Sequence, residues 1–222
     1  MRKQDIGGVW HSGIPSWAEL KKMAQADTIS QALSEGDLIP IRLANGEENA
    51  IRVTHDQAGN MFFVFENCLD KPFFMNRNAT NAGGWAKSEM RAYLNGEIAK
   101  QLPDDLLKAI EPISIEQKMP NEAYAKSRDK LFLLSEEQVF GKSRLNSIPE
   151  KGVSQLRIFE GSMECRVKIQ DGKPFWWWLR SPCSGSAILF VYVASSGAVD
   201  WGIANFSGGV APGFCLIEPK KI

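Results

Sequence analysis

Apolar residues recur at helical spacing in Leu20, Met23 and Ala24, directly after Ser16-Trp17-Ala18-Glu19. That tetrad is a capping box, in which the serine hydroxyl and the glutamate carboxylate satisfy each other's backbone amides. The spacing predicts a helix over 17–33, with Gly36 where the chain leaves it. Runs rich in β-branched and aromatic residues follow: LIPIRLA, NAIRVTH and MFFVFEN, separated by Asn45-Gly46 and by an Asp56 to Asn60 turn. Asn-Gly suits a tight hairpin because both residues tolerate positive φ, so these runs predict a three-stranded antiparallel meander.

From Gly83 the helical rhythm returns. Trp85, Met90, Tyr93, Leu94 and Ile98 share a face, with a break expected at Asn95-Gly96. Pro103-Asp104-Asp105 opens a further short helix, with acids where the helix dipole favours them. PISIEQKM and KLFLLS read as strands, Ser135 to Gln138 as a second capping box whose helix stops at Gly141, and Lys142 to Gly152 as loop. The last third reads as β: WWWLRSP, ILFVYVASSGAV with a Ser-Ser-Gly turn, DWGIANF and GGVAPGFCLI. Short strands with Gly-rich connections cannot bury both faces alone, so this tail must pack on the preceding helices. The expectation is one α+β domain over 1–222, with a 36–70 β-meander lobe and a 175–217 C-terminal β region.

Composition narrows the function. Lys+Arg and Asp+Glu are equal at 26 each, which argues against a nucleic-acid partner. No run of 18 apolar residues is present and the N-terminus lacks the apolar core of a secretory signal, so no membrane insertion is expected and the location is read as cytoplasmic or virion-associated. Cys68, Cys165, Cys183 and Cys215 lie far apart without a CxxC spacing, and His11 and His55 stand alone, so no metal and no cofactor are expected. GxSxG, HExxH, P-loop and GxGxxG motifs are all absent, and the acid pairs Glu47-Glu48, Asp104-Asp105 and Glu136-Glu137 are sequence neighbours that regular structure points apart. The chain is therefore not expected to be an enzyme.

Residues 183–207 stand out. They carry one charge, Asp200, where the chain's 23% charged residues would supply about six. Directly before them stand Trp176, Trp177 and Trp178. On a strand the outer two face one side and the middle one the other. Two readings stay open: a strand sandwiched between apolar layers, or an aromatic platform for a ligand.

The blocks Gly83 to Arg91, Asp129 to Ser135, Trp176 to Pro182 and Gly208 to Phe214 resemble a domain family of unassigned function from gut Firmicutes and their phages. That family is similar in its C-terminal part to the C-type-lectin-like fold of variable proteins from diversity-generating retroelements. The resemblance implies a frame, WWWLRSP before and GGVAPGFC after, around a segment that varies and binds a protein or cell-surface ligand. Retroelements of this kind alter adenines within AAC or AAT codons, which never become Lys, Glu, Gln, Met or Trp. Residues 183–207 contain none of the first four and one Trp, Trp201, which would then have to be a fixed position. The implied ligand-binding residues are Ser184, Ser186, Ile188, Phe190, Tyr192, Ala194, Asp200, Trp201, Ile203, Asn205 and Phe206. Replacing Phe190, Tyr192, Ile203 and Asn205 together by serine is expected to leave stability nearly unchanged, whereas the frame residues Trp177, Leu179, Val210 and Phe214 should be buried. Glu218-Pro219-Lys220 departs from the Glu-Pro-Asn cluster of calcium-dependent lectins, and nothing marks an activated cysteine pair of the kind formylglycine-generating enzymes of this fold use.

Overall fold

The Ser16 capping box starts helix α1 (Trp17–Gln25) in the computed structural model, which describes residues 13–118, 124–145, 147, 149–150 and 152–220. Ser16 N–H donates to Glu19 Oε2 at 2.8 Å, and Leu20 and Ala24 face the core. The helix ends eight residues short of the expected boundary because Asp27 takes a left-handed conformation (φ 58°) that reverses the chain. One 3-10 turn, Ile29–Gln31, follows.

The meander forms as β1 (Leu38–Arg42), β2 (Glu48–His55) and β3 (Met61–Phe65). Its first turn has three residues rather than two, since Leu43 N–H donates to Glu47 O and only Gly46 has positive φ (89°). The helical stretch after Gly83 runs through α2 (Glu89–Tyr93), capped by Ser88. It does not break at Asn95-Gly96 but widens into a π turn over Leu94–Ile98. Asn95 uses that place to bind Lys130 N–H, Leu131 N–H and Leu131 O at 2.8–3.1 Å. Helix α3 (Asp104–Ala109) follows Pro103 as its cap.

Two readings of the middle third change. Strand β4 (Ile113–Lys118) pairs antiparallel with β5 (Tyr124–Asp129), whose polar sequence hid it. KLFLLS is not a strand; Leu131 to Leu134 are fully buried side by side and touch a sheet partner through the Phe132–Gly213 bridge. The second capping box does start α4 (Glu136–Phe140), and Gly141 ends it with φ 75°. A hairpin of β6 (Lys168–Gln170) and β7 (Lys173–Phe175) turns on Asp171-Gly172, both at positive φ. Then come β8 (Trp177–Pro182), β9 (Leu189–Val193), β10 (Val199–Ile203) and β11 (Gly213–Phe214).

Among the described residues these strands make four antiparallel sheets: β1-β2-β3-β11, β10-β9-β8, β4-β5 and β6-β7. The architecture is mixed α+β with short helices. Because β11 pairs with β3, the 36–70 meander shares one sheet with the C-terminal β region, and one core cluster runs through both. Trp177, Leu179, Val210 and Phe214 lie in that core without accessible surface, as framing residues should. No helix among the described residues is long and apolar enough to cross a membrane.

Candidate functional site

The four sequence blocks, the last two of which frame residues 183–207, meet in space. Trp85 Nε1 and Arg91 Nε both donate to the Asp129 carboxylate, at 2.9 and 2.6 Å, tying the first block to the second. Arg180 N–H donates to Leu134 O, and Phe132 exchanges backbone bonds with Gly213, tying the second to the third and fourth. Trp178 N–H donates to Gly209 O and Gly209 N–H to Trp176 O. Arg180 is an internal clamp. Its guanidinium is buried and binds Glu150 through both carboxylate oxygens, Gln138 Oε1 at 2.8 Å and Leu133 O at 2.6 Å. Strand β8 bulges here, advancing four residues from Trp178 to Pro182 while β9 advances two.

The three tryptophans alternate as strand geometry requires. Trp177 sits over Lys168 on one face, and its Nε1 donates to Arg166 O. Trp176 and Trp178 meet edge to face at 4.8 Å on the other, beside the Tyr192 ring. Trp177 and Trp178 are fully buried and Trp176 half-buried, so the run is a strand between two apolar layers with one indole at its edge. Gly202 and Gly208 leave room for it: a Cβ at Gly202 would stand 3.0 Å from Trp178, and one at Gly208 would collide with the Trp176 ring.

Registry assigns the predicted residues to faces. Tyr192 pairs with Asp200, and Trp201 with Val191 on the opposite face. The Tyr192 hydroxyl donates to Asp200 Oδ2 at 3.0 Å, and burial together with that carboxylate pushes the Tyr192 phenol up. Ser184, Asp200 and Asn205 are exposed, as are Ile188 (38%), Trp201 (51%) and Phe206 (52%); Ser186, Tyr192, Ala194 and Ile203 are half-buried. Phe190 is a correction. It is fully buried on the Trp178 face opposite Gly202, so it supports the hairpin instead of being displayed, and the fourfold serine replacement would open the core.

Strand β10 is the edge of its sheet. The register leaves the odd residues' backbone groups facing outward, yet Trp201 N–H is taken by Asp200 Oδ1 at 2.8 Å and Ile203 O by Phe206 N–H at 2.9 Å. A strand cannot add to this edge without breaking those bonds, a familiar guard against edge-to-edge association. What the edge offers is side chains: Val199, Trp201 and Ile203 along one face, with Phe206 just beyond. Met163, 52% exposed, stands at the hairpin tip, where its backbone abuts Gly197.

The ends of the hairpin are held by the segment 73–81, to which sequence reasoning assigned no role. Phe73 exchanges N–H···O bonds with Gly208 at 2.9 Å each, Asn76 N–H donates to Ala204 O, and Asn81 N–H donates to Ala187 O at 2.8 Å. The Asn81 amide also donates to Cys183 O, Ser186 O and Leu189 O. Every one of these bonds ends on a backbone atom of residues 183–208.

A family model described as a domain of unknown function, DUF6273, matches residues 59–218. The chain belongs to this family. The DUF6273 match takes in all four sequence blocks, the 73–81 segment and the hairpin they hold, and leaves out α1, β1 and β2. No curated protein and no solved structure matches the chain.

Reactive groups are scarce in this DUF6273 domain. Burial pushes the Cys68 and Cys183 thiols up to about 12 and Cys215 well above its ordinary value, which removes the thiolate a nucleophile needs. Exposed Cys165 is also raised, chiefly by desolvation. No group of three potential metal ligands occurs among the described residues. The cleft beside Arg180, lined by Gln138, Glu150, Ser154 and Glu218, has about 50 Å³ of free space, room for a few waters.

Proposed function

We propose that this DUF6273 chain is a ligand-binding protein: a C-type-lectin-like scaffold that displays side chains of residues 184–206 as a variable surface, diversified by a retroelement, toward a protein or cell-surface target. The observation that carries the reading is the division of labour in the segment. Its neighbours grip it through backbone atoms, while Ile188, Trp201 and Phe206 present large apolar side chains to solvent. Large apolar side chains left in solvent are expensive on an ordinary surface and common at interaction sites. In this reading Phe190, Gly202 and Ala204 are fixed support, Trp201 is displayed but fixed, and the varied set is Ser184, Ser186, Ile188, Asp200, Asn205 and Phe206, with Tyr192 and Ile203 at its margin. The chain performs no chemistry on what it binds.

A second reading, a structural phage or surface module without a variable site, draws on the complete burial of Phe190, Val191, Val193 and Ala204. A library randomised at those six varied positions separates the two. Under the binding reading most members remain protease-resistant and binders to a purified protein probe can be selected. A library in which most members unfold sinks it. The retroelement is tested by the flanking DNA, which should hold a reverse transcriptase and a near-copy of the segment differing at adenines.

A further inference from the structure

Residues 183–189 form a loop that closes on itself, Cys183 N–H donating to Leu189 O at 3.0 Å. Such a loop has carbonyls that turn inward as well as outward, and inward ones need donors. Here the donor comes from another part of the chain. The Asn81 side chain, buried, enters the loop and directs its Nδ2 at three carbonyl oxygens: Ser186 at 2.6 Å, Leu189 at 3.0 Å and Cys183 at 3.2 Å. An amide nitrogen has two hydrogens, so one of them is shared. Three surrounding acceptors also fix which way the amide faces, since its oxygen in that place would meet three other oxygens. The Asn81 backbone N–H adds a fourth bond, to Ala187 O.

Asn81 itself is well anchored. Ala82 N–H donates to Thr80 Oγ1, Gly84 N–H donates to Asn81 O, and the chain then turns through Gly83 and Gly84, both at positive φ, into fully buried Trp85. Trp85 in turn is bonded to Gln117 and Asp129. Within the loop, Ile188 N–H donates to Ser186 Oγ at the longer distance of 3.3 Å.

We infer that Asn81 is a positioning residue that sets the conformation of the 183–189 loop through the loop's backbone, so that loop shape is independent of the side chains at 186–188. The inference goes beyond the binding proposal and stands without it, because it concerns the loop's conformation and requires no ligand. If the loop is variable, Asn81 explains how its shape survives variation; if it is not, Asn81 still organises it.

Amide hydrogen exchange by NMR tests this. In Asn81→Asp the side chain keeps its size but turns an oxygen toward three carbonyls. The Cys183 amide should then exchange at least about tenfold faster, while the Val53 and Phe65 amides in the core keep their rates. The two Asn81 Nδ2 protons should be separately resolved and protected in the parent protein. Unchanged exchange at Cys183 in a folded Asn81→Asp protein overturns the inference. Should that variant not fold, the Ser186→Ala/Ile188→Ser protein decides: Cys183 exchange within about threefold of the parent supports a backbone-held loop, and acceleration of tenfold or more places loop shape in its own side chains and overturns it.

Discussion

In the β2–β3 hairpin, Ile51, Val53, Phe63 and Phe65 are essentially fully buried, and further strands close both sides, β1 beyond β2 and β11 beyond β3. In the β9–β10 hairpin the β9 side is covered by β8, while β10 is an edge carrying half-exposed Trp201. The first hairpin keeps its shape because its side chains are packed, so it depends on its own sequence. The second is held where the chain enters and leaves it by Phe73, Asn76 and Asn81 acting on its backbone. The second hairpin should tolerate changes along β10 of a kind that the first does not.

The largest effects should come from removing packing on the rigid side. Phe214 stacks on Phe63 at 5.1 Å and meets Trp17 edge-on at 5.8 Å, so Phe214→Ala should cost roughly 3–5 kcal/mol in chemical denaturation. A loss under about 1 kcal/mol would erase the contrast between the hairpins. Phe190→Ser asks the same question of the displayed hairpin's supporting face. A cost of about 3 kcal/mol, or a melting temperature lower by roughly 10 °C, marks Phe190 as core. A neutral result would return it to the displayed set.

Next in size is a pH effect at the start of α4, beside the Arg180–Glu150 pair. Glu137 Oε2 accepts Glu150 N–H at 2.7 Å; burial, with the Glu150 and Glu136 carboxylates nearby, pushes Glu137 up to about 7. The folded protein therefore holds a proton that the unfolded chain releases near pH 4.5, and stability should fall as pH rises from about 5 to about 7.5. The group is partly exposed, so solvent screening reduces the loss to roughly 1–2 kcal/mol. Glu137→Gln, which retains an acceptor for Glu150 N–H, should flatten that slope in urea titrations at pH 5 and 7.5. A slope that persists assigns the effect to another group.

The smallest effect is expected on the displayed edge. Ile188→Ser, Trp201→Ser and Phe206→Ser should each change stability by about 0.5 kcal/mol, and the triple variant should melt within a few degrees of the parent. A cooperative collapse of the triple variant would make the two hairpins alike and count against display.

The sequence by itself determined the elements whose signals are local. Ser16 and Ser135 cap helices because the partner carboxylate or amide lies three residues away, and the meander and the tryptophan strand follow from strand periodicity. It also marked the framing blocks and the odd composition between them, which the family match over 59–218 encloses. Burial within ILFVYV was not legible, since an unbroken apolar run gives no alternation from which to choose a face. Only the tertiary structure placed Phe190 inside and Trp201 outside, because that choice rests on which strand lies at the sheet edge. Polar β5 was likewise hidden, as pairing with β4 rather than burial makes it a strand. Asn81 carries no local signal at all: its acceptors lie 102 to 108 residues away, and a donor reaching across that distance exists only once the chain has folded.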